Sequence, residues 1–274
     1  MTGFGVRATV ESIFTGAACG SLGVQVVLRR LAFFTETLGH VAFLGIVAAT
    51  IVGSDIKAGA AVATAGAVAL AGRGGIASGQ PGLRSGVLVS GALALGVVLI
   101  STRQGFSKDL TAALVGSPLT VTTGDIIAAG IVAACVAALL TAVHKELLLA
   151  AFDPHATRAF GYPARLIDMG LLSLLAVTVV TAAPAVGATL PLALLVGPPA
   201  TALLWTRRVV PATVLGGLLA AGTAAAGLVL SLHYRLAASA AGAILCGALF
   251  LITLAARLGH RMTVLTRRQA AEPV

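Results

Sequence analysis

The residues best suited to chemistry are a carboxylate and an imidazole, Glu36 and His40, four positions apart in an otherwise apolar stretch. On a helix such a pair shares one face. His40 lies ten residues beyond Arg30, or roughly 15 Å along a helix axis, which puts it near the middle of a bilayer. An ionisable side chain at that depth is costly, and a functional role is the default expectation. An imidazole nitrogen and a carboxylate oxygen together suit a first-row divalent cation such as Zn²⁺ or Mn²⁺. A permeation site must also release its ion, so an incomplete ligand set is acceptable. The plainer alternative makes the two a structural pair, with His40 bonding a neighbouring helix and Glu36 as its partner.

A second stretch reads as a docking element or an ordinary connector. Asp153 is a good N-cap and Pro154 suits the first helical position. Ala156 to Phe160 then make one or two turns, Gly161 is a plausible stop, and Pro163 forbids continuation. If a partner docks here, Phe152, Phe160 and Tyr162 could supply apolar anchors.

The elements that carry these residues must lie in lipid. The chain has 274 residues, 58% of them hydrophobic and only 10% charged, with a mean hydropathy of +1.03. Soluble domains carry about 25% charged residues, and no ordinary soluble fold hides this much apolar sequence from water. Continuous apolar runs imply helices, because barrel strands alternate and are only about 10 residues long. Nine spanning segments are expected, near 8–28, 33–53, 57–72, 84–102, 125–143, 166–183, 188–205, 209–231 and 236–257. The third and seventh are short or broken by Gly and Pro. Gly16-Ala17-Ala18-Cys19-Gly20 has the small-residue spacing of close helix packing. The expectation is therefore an all-α integral membrane protein, a single transmembrane domain over 1–274. A loop over 144–165 and a tail over 258–274 would be cytoplasmic.

Lys and Arg set the orientation. With the loop after the first segment inside, the split is 13 inside against 5 outside, which predicts N-terminus out and C-terminus in. The net charge of +9 sits at segment ends and forms no basic stripe with interleaved aromatics, so nucleic acid is not the expected partner. Cys19, Cys135 and Cys246 lie in apolar runs without zinc-finger spacing and read as small hydrophobes. No cleavable signal peptide is expected.

The other polar residues read as supporting parts. Asp55 and Lys57 suggest a solvated outer turn, Asp125 an N-cap, and Asp168 an interfacial residue. His144 and Glu146 lie at the membrane edge. His155 reads as exposed and His233 as a solvated loop residue. Lys108 and Asp109 could pair with an outer partner. There is no HExxH and no GxSxG, so no enzyme is expected, and no GxxxxGK[ST] loop, so any ATP must be used on another chain.

Four stretches, in order, carry a resemblance. They are Val27-Leu28-Arg29-Arg30-Leu31-Ala32-Phe33 running on to His40, Leu114-Val115-Gly116-Ser117, Lys145 to Pro154 followed by Ala159-Phe160-Gly161, and Val186-Gly187 through Leu194 to Ala202. Together they resemble permeases of the zinc, manganese and iron ABC importers. The resemblance implies a type II importer-like helical bundle in the cell membrane, working as a homodimer. It implies two cytoplasmic ABC ATPase subunits docked near Phe152, Asp153, Pro154, Ala159, Phe160 and Gly161, and an extracytoplasmic metal-binding protein that delivers the ion. The cargo would be Zn, Mn or Fe, with no permanently bound cofactor. The family carries an acid and a histidine at positions matching Glu36 and His40. The acid is usually Asp, and Ser usually stands where this chain has Gly39. This chain also has Arg235 after Ser231-Leu232-His233-Tyr234, where the family often has an acid, and Gln80-Pro81-Gly82 where it often has an acidic pair. The rival readings are a permease for a metal chelate, such as a siderophore or cobalamin, and an ATP-independent carrier.

Overall fold

A computed structural model describes residues 3–74, 81–101, 121–187, 190–234 and 236–269. In order the helices are α1 (Gly3–Leu28), α2 (Ala32–Val52), α3 (Ile56–Gly74), α4 (Pro81–Ser101), α5 (Thr123–Ala142), α6 (His144–Phe152), α7 (Pro154–Ala159), α8 (Ala164–Val186), α9 (Leu190–Trp205), α10 (Val209–Tyr234) and α11 (Ala238–Gln269). No strand occurs among the described residues. Lys108, Asp109, the Leu114–Ser117 stretch, Gln80 and Arg235 lie outside the described residues.

Nine of these helices match the nine expected segments. Six are long and apolar enough to cross a bilayer: α1, α2, α5, α8, α10 and α11. The apolar parts of α3, α4 and α9 are shorter. At 16 residues, α9 is about 24 Å long, less than the roughly 30 Å of a bilayer core.

The bundle is built around α1, which packs against α5, α8, α9 and α10. The closest approach is to α10. A methyl group added to Gly16 would lie 2.7 Å from the Ala220 carbonyl oxygen, and one on Gly20 would meet the Gly216 carbonyl and the Ala220 side chain. Without a hydrophobic drive between helices in lipid, such backbone proximity supplies the packing energy. Pro198 and Pro199 sit inside α9 and are buried. A proline at 199 leaves the Leu195 carbonyl without its usual helical donor. That oxygen lies against Gly23 of α1, so a neighbouring helix covers the gap.

Leu22, Leu38, Leu171, Leu175, Leu194 and Leu195 form the buried core. Ile127, Ile131, Val214, Leu218, Leu251 and Ile252 point outward. Apolar residues on both faces are what lipid-embedded helices require. Cys19 and Cys246 are buried in the interior, whereas Cys135 faces outward from α5.

Candidate functional site

The short capped helix is present, with an added element before it. Residues 144–152, expected as connector, form α6, which follows α5 after a break at Val143. Asp153 caps α7, its Oδ1 accepting from the His155 and Ala156 amides at 2.9 and 2.8 Å. Pro154 opens the helix. Gly161 takes a left-handed φ of 78°, a conformation that side chains disfavour, and the chain turns there. The Thr157 hydroxyl donates to the Asp153 carbonyl at 2.9 Å, so the turn is tied at both ends. Phe152 and Phe160 are 70% and 72% exposed, with Tyr162 beside them, while Leu147 and Thr157 are buried. Large aromatic faces are therefore held outward on a rigid turn. His155 is exposed, as expected.

Arg29 ties this loop to the bundle. It pairs with Asp168 at 2.5 Å and donates to the Leu147 carbonyl at 3.0 Å. Asp168 is thus an ion-pair partner and more than an interfacial residue. Burial lowers the Arg29 guanidinium from its ordinary range, and Asp168 counters this by charge and hydrogen bond.

Glu36 and His40 share one face of α2, as their spacing dictates. His40 Nε2 lies 4.0 Å from Glu36 Oε1, too far for a hydrogen bond. His40 Nδ1 is buried and has no partner among the described residues. The Glu36 side chain is 38% exposed. The pair is thus open, with the His40 Nδ1 free of a partner among the described residues. Among the described residues no three His, Cys, Asp or Glu side chains group to hold a metal. Among the described residues the chain offers two ligands here.

One feature adds to the reading of the sequence and one departs from it. Lys57 is paired with Asp125 across α3 and α5, while its side chain stays 61% exposed on the solvated turn that the sequence suggests. Asp125 is not the N-cap. Thr122 is the cap and Asp125 is the third helical residue, the two closing a reciprocal capping box. Sequence spacing alone left the cap one turn out of register.

The sequence reading passed over Glu11. It is fully buried in α1, and neither carboxylate oxygen has a hydrogen-bond partner among the described residues. The signal was available, because a carboxylate inside an apolar run is a functional candidate by default.

The chain is thus a polytopic helical bundle with an exposed aromatic turn and an open carboxylate–imidazole pair within a helix. The sequence profile of the ABC 3 transport family matches residues 1–257, and the chain belongs to that family. It is 30% identical over 264 residues to the manganese transport system membrane protein MntC of Halalkalibacterium halodurans, covering 95% of this chain and 89% of that one. It is 28% identical over 230 residues to the chelated iron transport system membrane protein YfeD of Yersinia pestis, covering 83% and 76%. Its fold matches PsaBC from Streptococcus pneumoniae, solved in complex with Fab, with a TM-score of 0.80 at 27% identity over 92% of this chain and 91% of that one.

Proposed function

We propose that this chain is the membrane-spanning permease of an ATP-driven importer of a divalent metal ion, Mn, Fe or Zn. The observation that carries the reading is the open Glu36–His40 pair within a family whose relatives bear manganese and iron transport names. Two copies of the chain would line one path, each contributing Glu36 and His40, so that four donors meet the ion. A weakly held ion can be released, which a permeation site requires.

Cytoplasmic ABC ATPase subunits would dock on the turn from Phe152 to Gly161. Asp153 and Pro154 set its start, Ala159 ends α7, and Phe152 and Phe160 provide the apolar grip. Movement of the turn would reach α1 and α8 through Arg29, which holds Leu147 and Asp168 together. An extracytoplasmic binding protein would load the ion from the other side, giving alternating access. In this reading the N-terminus faces outward and the loop over 144–165 faces the cytoplasm. This chain itself catalyses no reaction.

The test is cellular accumulation of Mn, Fe and Zn by elemental analysis, with the chain co-expressed with its ATPase and binding protein. One metal should rise, and His40→Ala should abolish the rise. An equal rise with His40→Ala would make His40 structural or point to a chelate cargo, which needs no metal ligands. No rise in an assembled complex would overturn the metal reading. Uptake without any ATPase would favour an independent carrier.

A further inference from the structure

A groove of about 480 Å³ runs between α3, α5 and α8. Its walls are α3 and α5, and its floor is α8, which packs against both. Small side chains leave the space, with Ala61, Ala65 and Ala69 on one wall and Ala128 on the other. Thr64 and Thr181 also line it, but each hydroxyl donates to a carbonyl of its own helix, at 2.8 and 2.9 Å. Along α3 the groove extends from Lys57 to Ala69, and along α8 from Met169 to Thr181, about 18 Å on each. That is close to one leaflet, half of a hydrocarbon core of roughly 30 Å. Its two ends differ. Where α3 and α5 begin, Lys57 reaches across to Asp125. At the far end the Met169 Cε lies 3.1 Å from the place of a methyl group on Gly72, so α8 and α3 meet there. Val177 on the floor is exposed, as are Val62, Leu70, Ile127 and Ile131 beside the walls, so the groove opens sideways onto an apolar surface.

An empty groove forfeits the dispersion contacts of its lining. Water is a poor filler, because an apolar space offers it too few partners. A helix from a second copy needs 10–12 Å with its side chains. A volume of about 480 Å³ spread over about 18 Å leaves a mean width of about 6 Å, which suits a single hydrocarbon chain. The polar end supplies the other half of the recognition. The Lys57 side chain is mostly exposed, so its ammonium can hold a phosphate beside Asp125. Asp55, whose Oδ1 accepts from the Lys57 amide at 3.0 Å, adds a second carboxylate at that end. Two carboxylates with one ammonium disfavour a headgroup of net negative charge. They complement one that carries a phosphate and an N–H-bearing ammonium together.

We propose that this groove is a phospholipid site, holding one acyl chain of a zwitterionic lipid of the phosphatidylethanolamine type. The phosphate lies on Lys57, and the headgroup ammonium lies beside Asp55 and Asp125. The chain runs along α8 towards Met169 and braces α3 and α5 over that floor. Glu36, His40 and the aromatic turn take no part, so the binding does not depend on the importer reading.

The experiment is native mass spectrometry of the full-length chain in detergent. It is titrated with phosphatidylethanolamine, phosphatidylcholine or phosphatidylglycerol carrying identical acyl chains. One phosphatidylethanolamine per chain should be retained, about tenfold more tightly than either other lipid, the scale of one charge-assisted hydrogen bond. Lys57→Gln should weaken that binding about tenfold on the same scale. Ala65→Phe, which puts a ring into the groove from an exposed wall position, should weaken it about tenfold, the scale of expelling two buried methylenes. Ala134→Phe, exposed on α5 and outside the groove lining, should leave it unchanged. Gel filtration confirms that each variant is monodisperse. Equal retention of the three lipids would mean an unselective lipid coat and would overturn the proposal. So would tighter retention of phosphatidylglycerol, or binding that Ala65→Phe or Lys57→Gln leaves unchanged. Loss of self-association in Ala65→Phe with lipid retention intact would assign the groove to a second copy of the chain instead.

Discussion

Arg29 and Asp168 stand 139 residues apart in the chain, yet their side chains meet at 2.5 Å, and the same guanidinium holds the Leu147 carbonyl at 3.0 Å. One side chain therefore joins the end of α1, the start of α8 and the α6 segment that leads to the exposed aromatic turn. Lys57 and Asp125 make the corresponding link between the starts of α3 and α5. The loops between these segments put the two pairs at opposite ends of the bundle.

Removing one partner of the Arg29 pair should be costly. Breaking a buried pair costs about 3–5 kcal/mol, and part exposure of Asp168 places Arg29→Ala near the low end. Asp168→Ala should cost less, because the guanidinium keeps its bond to Leu147. Thermal unfolding of the two single variants and the double variant in detergent checks this. A coupling energy above about 0.5 kcal/mol is expected, and additive effects would show that the pair contributes nothing.

Asp153→Ala removes the acceptor for two amides and should lower the stability of α7 by about 1 kcal/mol. Pull-down of the ATPase should weaken, while binding of the delivery protein should not change. An unchanged ATPase pull-down would rule out docking at this turn.

Phe160→Ala separates grip from folding. Phe160 is exposed, so gel filtration of the purified chain should be unaltered. Loss of an interface aromatic typically costs more than about 1 kcal/mol of binding, and ATPase affinity should fall by about tenfold. Equal affinity would assign the contact to another surface.

Gly20→Ala tests the α1–α10 contact. The added methyl would collide with the Gly216 carbonyl and the Ala220 side chain, so a loss of about 1–3 kcal/mol is expected from overpacking. Gly222→Ala on α10 is the control, since nothing lies within 4 Å of an added methyl there. Its melting temperature should be unchanged or raised, in line with the better helix propensity of Ala.

Much of the architecture was legible because lipid leaves few choices. Backbone groups must bond within their own segment, so an apolar run of sufficient length becomes a helix. The Asp153-Pro154 start and Gly161 stop were legible for a similarly local reason, since capping depends on adjacent residues. The helix α6 was not, because Lys145 and Glu146 look like the end of a span rather than a further helical turn. The pairing of Lys57 was not legible because its partner lies 68 residues away. Asp125 was misplaced by one turn because Thr122 competes for the cap.

The amino-acid sequence by itself determined that this chain crosses a membrane as helices, where the capped turn falls, and that Glu36 and His40 share a face. These follow from hydropathy, capping chemistry and helical spacing, all of which act over a few residues. Only the tertiary structure decided that Glu11 is sealed among other groups, that Arg29 ties the turn to α8, and that Gly23 covers the carbonyl freed by Pro199. Those relationships depend on which helices lie side by side, and that is settled by packing between segments distant in the chain.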